Sequence, residues 1–140
     1  DLWLMATGTG VGPFLSMLQT SEPWERFERI TLAYGVREQA DLCYTELLDS
    51  LLKSQPRRLR IIPCISREKP ATGFHGRITE ALQSGALESL AEREIDPQLS
   101  HFMLCGNQSM IQQVTALLQQ RGLARHLRTS PGQISSEKYH

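Results

Sequence analysis

An apolar run, Leu2-Trp3-Leu4-Met5-Ala6, passes without a break into Thr7-Gly8-Thr9-Gly10-Val11-Gly12-Pro13. Uninterrupted apolar residues mark a strand buried on both faces of a parallel sheet, because such a strand has no solvent side to alternate with. Pro13 suits the first turn of a helix running from about Pro13 to Leu18, where a missing N–H costs nothing. The junction is therefore a strand-to-helix turn. Three glycines at alternate positions let backbone come close to a bulky anion, and the helix start adds free N–H groups and partial positive charge. A dinucleotide pyrophosphate fits that description. The spacing G-x-G-x-G is not the G-x-G-x-x-G of the usual dinucleotide fold, and no Gly-Lys-Ser/Thr follows, so it is not a Walker loop. Read alone, the motif also fits a plain tight turn.

Further along, the pattern alternates. Ser21-Glu22-Pro23 reads as a break, and Ile30 to Tyr34 as a second strand rich in residues that favour extended chain. Asp41 is placed to cap a helix whose Tyr44, Leu47, Leu48, Leu51 and Leu52 form one apolar face. Leu59 to Ile65 is a third strand, with Pro63 pointing to an edge position because proline cannot donate to an interior ladder. Lys69 to Gly76 reads as a loop, and Ile78 to about Leu90 as a helix interrupted at Gly85. A fourth strand, Phe102 to Cys105, leads through Gly106-Asn107 into a helix with Met110, Ile111, Val114, Leu117 and Leu118 on its buried stripe, stopped by Gly122. A last strand is expected at Ala124 to Leu127, followed by a polar tail. Strands alternating with helices over short connections require right-handed parallel crossovers. The expected fold is α/β, a doubly wound sheet of about five parallel strands with helices on both faces.

Ligands in such sheets bind beyond the carboxyl ends of the strands. Those ends carry Thr7-Gly8-Thr9-Gly10, then Gly35-Val36-Arg37, then Ser66-Arg67, then Cys105-Gly106-Asn107. A site for NAD places an acid after the second strand to hold the ribose 2′-hydroxyl, whereas the 2′-phosphate of NADP calls for arginine. Here the second strand ends in Arg37, Arg67 follows the third, and Arg77 lies close by, so a guanidinium pair for that phosphate is expected. Cys105 reads either as a small core hydrophobe or as a group bordering nicotinamide without nucleophilic chemistry, with Gly106 admitting the flat ring.

The chain's 140 residues suit one domain able to bury roughly two thirds of its extended surface. Fifteen basic residues balance fifteen acidic ones, which argues against a broad nucleic-acid or membrane-surface footprint and makes any anion recognition local. Cys43, Cys64 and Cys105 have no metal-ligand spacing, and with no signal-like segment they read as reduced thiols of a cytoplasmic protein. Cys43 and Cys64 are assigned to the core. His75 and His140 are assigned to surface loops, His101 and His126 to partly buried strand starts, and no metal site is expected. The chain starts at Asp1 directly before a core strand, so the expectation is an excised C-terminal domain of a longer chain.

Six ordered segments carry a family resemblance over nearly the whole chain: Ala6 to Phe14, Tyr34 to Arg37 with Asp41 to Tyr44, Ser66-Arg67-Glu68, Gly76-Arg77-Ile78, and Met103 to Met110. Together they resemble the NADP-binding domain of bacterial ferredoxin/flavodoxin–NADP reductases, and the tail from Pro131 to His140 is similar to this family's C-terminus. The resemblance implies that Thr7, Gly8, Thr9, Gly10, Val11 and Gly12 face the pyrophosphate and nicotinamide. It implies that Arg67 and Arg77, with Arg37 nearby, hold the 2′-phosphate, and that Cys105 and Gly106 border the nicotinamide; Ser66 and Asn107, at the strand ends, are further candidates for cofactor binding. Tyr139 would cover the flavin ring, although related bacterial tails often finish with a tryptophan after the tyrosine, where this chain has His140. The family's flavin-binding barrel, with its Arg-x-Tyr-Ser/Thr pattern, is absent, so these residues alone do not hold FAD.

The same resemblance implies a monomeric flavoprotein that passes hydride between NADP(H) and FAD and exchanges electrons with ferredoxin or flavodoxin. Neither nucleic acid nor membrane is expected as a partner. The chemistry would belong to the cofactors, with this domain supplying position. Two alternatives stay open at this point, an NADH-using reductase of the same fold and a non-catalytic dinucleotide-sensing module.

Overall fold

The computed structural model describes residues 1–138, Lys138 through its backbone alone. The strands are β1 (Leu2–Thr7), β2 (Ile30–Val36), β3 (Leu59–Ile65), β4 (Phe74–His75), β5 (His101–Gly106) and β6 (Ile134–Lys138). The helices are α1 (Val11–Leu18), α2 (Glu22–Arg26), α3 (Thr45–Ser54), α4 (Ile78–Ser84), α5 (Ala86–Ala91) and α6 (Gln108–Gln120). All strand pairs are parallel, in the order β4-β3-β2-β1-β5-β6. Sequential strands step outward from β1 to β4, and the chain then returns to place β5 on the other side of β1.

The apolar run of β1 is explained by this position. Leu2, Leu4 and Ala6 pack with Phe14 and Leu15 of α1 and with Leu48 and Leu51 of α3, while Trp3 and Met5 face α4, α5 and α6 through Ala81, Leu87 and Val114. Each face of the sheet thus has its own apolar layer, as a doubly wound sheet requires. Trp3 stacks on Phe102 of β5, with ring centroids 5.8 Å apart. Gly85 sits at φ 85°, a left-handed conformation that ends α4 and starts α5 where the sequence shows the interruption.

Several expectations are corrected. The sheet has six strands, because β4 is too short to show a pattern and the last strand is Ile134–Lys138. Residues 124–127 instead fold back on 130–134, with paired backbone bonds between Leu127 and Ser130 and isolated bridges at Arg125–Ile134 and Leu127–Ser130. Ser135, Ser136 and Glu137 look like a polar tail because an edge strand with an exposed outer side needs few apolar residues, and only Ile134 is buried beside Phe102. Pro23 opens α2 where a break is expected, as proline in a first helical turn does. Asp41 does not cap α3; it ends a short 3₁₀ turn, Gln39–Asp41, and α3 begins after Tyr44 in left-handed conformation. Cys43 is exposed, not core, because it lies in the loop between that turn and α3, outside the sheet, whereas Cys64 is buried as expected. His101 starts β5 yet is exposed, and His126 is exposed outside any strand. Pro63 lies on the strand next to the edge, and β4 pairs β3 only at Cys64 and Ile65.

Candidate functional site at the carboxyl edge

The order of strands reverses between β1 and β5, and a crevice opens there beyond the strand ends. A cleft of about 870 Å³ runs along the carboxyl ends of β5, β1, β2 and β3, within the range of small-molecule sites. Its lining includes Thr7, Gly8 and Thr9 after β1, Arg37 after β2, Ser66 and Arg67 after β3, Arg77 before α4, and Asn107 before α6. Eight of the residues singled out in the sequence therefore meet on one surface.

The glycines have different tasks. Gly8 adopts φ 52° and has open space where a side chain would project, so it serves the turn and leaves room in the cleft. Gly10 is buried against β5: a Cβ there would stand 2.5 Å from the Cys105 carbonyl oxygen. Close packing at the β1–β5 switch, rather than anion contact, is what requires it. Gly12 lies inside α1 with open space around it, and Val11 points into the apolar layer. The Val11 N–H is taken up by the Gly8 and Thr9 carbonyls, so the turn consumes one donor that a bare helix start would leave free.

At the switch point, Thr7 Oγ1 accepts the Asn107 N–H at 2.9 Å. A Cβ on Gly106, at φ 147°, would collide with that hydroxyl, so glycine permits the bond. Asn107 then caps α6, its Oδ1 accepting the Met110 N–H at 2.8 Å. Cys105 does not line the cleft; it is 2% exposed, packed with Ala6 and Val11. Burial first, and Glu137 second, push its thiol up, which keeps it protonated and a poor nucleophile. Cys64, at the floor of the cleft, is pushed up to about 12 by burial. β6 reaches the carboxyl edge with Lys138 opposite Gly106, and Tyr139 lies outside the described residues.

The arginines come together from three elements. The β2–β3 ladder extends past the strands, with Ser66 N–H donating to the Val36 carbonyl at 3.2 Å and Arg67 N–H to the Arg37 carbonyl at 2.9 Å. Arg37 and Arg67 therefore stand side by side, and Arg77 faces the same cleft from the start of α4. None of the three guanidinium groups has an ion-pair or hydrogen-bond partner among the described residues. The nearby carboxylates are spent on backbone: Asp41 accepts the Glu38 N–H at 3.1 Å and Glu80 the Arg77 N–H at 2.9 Å. Three unneutralised cations on a concave wall attract an anion, and planar guanidinium suits phosphate.

Sequence reading missed the wall formed by α4 and α6. Ile78 and Met110 supply its apolar part, and Thr79 Oγ1 donates to Gln113 Oε1 at 3.2 Å to join the two helices. The signal was present, since both segments are helix starts following strand ends, where the carboxyl-edge rule places ligands. Among the described residues no group of His, Cys, Asp and Glu could hold a metal ion, and no helix is long and apolar enough to cross a membrane.

The model of the oxidoreductase NAD-binding domain matches residues 4–116. The flavodoxin/ferredoxin–NADP reductase of Buchnera aphidicola subsp. Baizongia pistaciae is 41% identical over 139 residues, which are 99% of this chain and 56% of that protein. The Escherichia coli enzyme of the same description is 42% identical over 110 residues, 79% of this chain and 44% of that protein. The chain spans about half the length of the curated relatives it matches. A crystal structure of a ferredoxin NADP⁺ reductase from Neisseria gonorrhoeae with bound FAD and NADP is similar with a TM-score of 0.91 at 32% identity, covering 99% of this chain and 55% of that one.

Proposed function

The chain belongs to the family of oxidoreductase NAD-binding domains, and from that premise we propose that it holds NADP(H) in the carboxyl-edge cleft as part of a flavoprotein reductase. The observation that carries the reading is the set of three guanidinium groups, Arg37, Arg67 and Arg77, that face one cleft without a partner among the described residues. Arg67 and Arg77 take the 2′-phosphate, with Arg37 and Ser66 beside them. The turn at Thr7, Gly8 and Thr9 faces the pyrophosphate, and Asn107 and Gly106 border the nicotinamide end.

Bound together, NADP(H) and a facing FAD supply hydride transfer, and this chain's own residues bind, orient and exclude water. The cleft fits a pyridine nucleotide in size and charge. The chain covers only about half the length of its relatives, so we assign the grip on FAD to the part of such a reductase that this chain does not span. In this reading Cys105 is a packed, protonated thiol behind the nicotinamide end, and covering the flavin ring is assigned to Tyr139, which lies outside the described residues. Electron exchange with ferredoxin or flavodoxin is part of the same proposal and accords with the names of the relatives.

A second reading, NAD in place of NADP, draws on Asp41, a carboxylate after β2 on the cleft wall. It is disfavoured because that carboxylate already accepts a backbone N–H. Titration of the intact protein with both nucleotides separates the two. NADP should bind more tightly, and Arg67→Ala with Arg77→Ala should weaken NADP by about a hundredfold, the scale of two charge-assisted contacts, while leaving NAD nearly unchanged. Equal affinity of the parent protein for both nucleotides would overturn the assignment.

A further inference from the structure

The loops that carry Arg37 and Arg67 have no helix at their tips. After β2 the chain runs through a single 3₁₀ turn, Gln39–Asp41, and α3 does not begin until Thr45. A 3₁₀ turn leaves its first N–H groups without acceptors inside the turn. The Gln39 N–H finds its acceptor on the neighbouring loop, in Oε1 of Glu68. With the Ser66–Val36 and Arg67–Arg37 backbone bonds, three consecutive residues after β3 are tied to the end of β2 and the loop that follows it. The third tie is the one made by a side chain.

That side chain is a carboxylate next to Arg67 in sequence, yet it forms no ion pair with Arg67 or Arg37. A salt bridge there would neutralise the charge the cleft presents. Turning the carboxylate to a backbone amide keeps both guanidinium groups free and fixes the distance between the loops that carry them. Preorganisation of this kind raises affinity by removing the ordering that binding would otherwise have to impose.

We propose that Glu68 is a positioning residue for 2′-phosphate recognition, its Oε1 bracing the Gln39 N–H so that the loops bearing Arg37 and Arg67 hold their guanidinium groups together. This rests on the NADP reading above. Two properties of Glu68 act in opposite senses: its acceptor oxygen braces the loops, while its negative charge repels a bound phosphate. Glu68→Gln keeps the acceptor and removes the charge, and Glu68→Ala removes both.

The test measures adenosine 2′,5′-bisphosphate and 5′-AMP, which differ only in the 2′-phosphate, by calorimetry on the intact protein and both variants. Glu68→Gln should bind the bisphosphate at least as tightly as the parent. Glu68→Ala should bind it about fivefold more weakly than Glu68→Gln, the share expected of one neutral hydrogen bond, with 5′-AMP unchanged throughout. Amide exchange at Gln39 should accelerate in Glu68→Ala and stay slow in Glu68→Gln. Equal bisphosphate affinity in the two variants, or a parallel loss of 5′-AMP, would overturn the brace and leave the NADP reading standing. A parent protein that binds both ligands alike would remove the NADP reading, and the brace with it.

Discussion

The two ends of the sheet treat the same residue type in opposite ways. At the amino ends, arginines are consumed by the fold. Arg58 donates to the carbonyls of Trp24, Phe27 and Glu28 and lies over the Trp24 ring at 5.3 Å. Arg29 donates to the Ala91 carbonyl at 3.2 Å, and Arg60 pairs with Glu92 at 3.1 Å. Arg121, just past α6, grips Glu88 with two nitrogens at 2.7 and 3.0 Å. At the carboxyl ends, Arg37, Arg67 and Arg77 have no partner among the described residues.

Topology explains the contrast. In a sheet wound from parallel strands and returning helices, helix C-termini arrive at the amino ends of strands and helix N-termini start from the carboxyl ends. An arginine at the amino ends therefore meets unsatisfied carbonyls, such as those at the ends of α2 and α5, and the negative pole of the helix. An arginine at the carboxyl ends meets N–H groups. The carboxylates there are claimed by those N–H groups: Asp41, Glu68 and Glu80 each accept from backbone. Cations are left over where donors crowd, and in the proposed reading the anionic nucleotide supplies the acceptor they lack.

The largest test of this contrast concerns what the carboxyl edge does depend on for stability, which is close backbone packing. Gly10→Ala places a methyl group against the Cys105 carbonyl and should cost about 3 kcal/mol or more in urea unfolding, as overpacking of a tight contact does. A loss no greater than that of a surface substitution would show that the turn is not seated on β5.

Next in size is Arg58→Ala, which orphans three carbonyls and should lower stability by about 2 kcal/mol while leaving nucleotide affinity intact. Its counterpart, Arg67→Ala, should change unfolding by no more than about 0.5 kcal/mol and weaken NADP about tenfold. Matching destabilisation by the two substitutions would break the comparison. A further distinction is salt: raising ionic strength should weaken NADP binding to the exposed arginines, and binding that is indifferent to salt would argue against an electrostatic subsite.

The smallest expected effect is a pH dependence. Hydrogen bonds from Arg121 hold the Glu88 carboxyl below its ordinary value, with the Ile95 N–H assisting and partial burial opposing. The unfolded chain therefore binds that proton more readily than the folded one. The pair's contribution is complete above the unfolded carboxylate value and is lost as pH falls through the lower, folded one. Glu88→Gln should be less stable than the parent near neutral pH, and the difference should shrink as pH falls below about 4.5, the ordinary carboxylate value. A difference that stayed constant across that range would mean the pair contributes through packing alone.

Much of this molecule was legible before the structure. The apolar runs fixed β1, β3 and β5, and the stripe of Met110, Val114 and Leu118 fixed α6, because burial on one or both faces writes a period into the residues. Those elements place the carboxyl edge, and hence most of the site. What escaped reading has the opposite character. β6 is a polar strand held by its neighbour's backbone, β4 is two residues long, and the exposure of Cys43 comes from a loop that lies beyond the sheet.

The chain's residues by themselves determined which strands are central, where the glycine turn stands, and that arginines come after the second and third strands. Only the assembled fold decided which arginines remain free, which glycine packs and which opens the cleft, and that Glu68 reaches Gln39. The reason is that hydrophobic period is a local property of sequence, whereas the pairing of a charge depends on what the topology brings within about 4 Å of it.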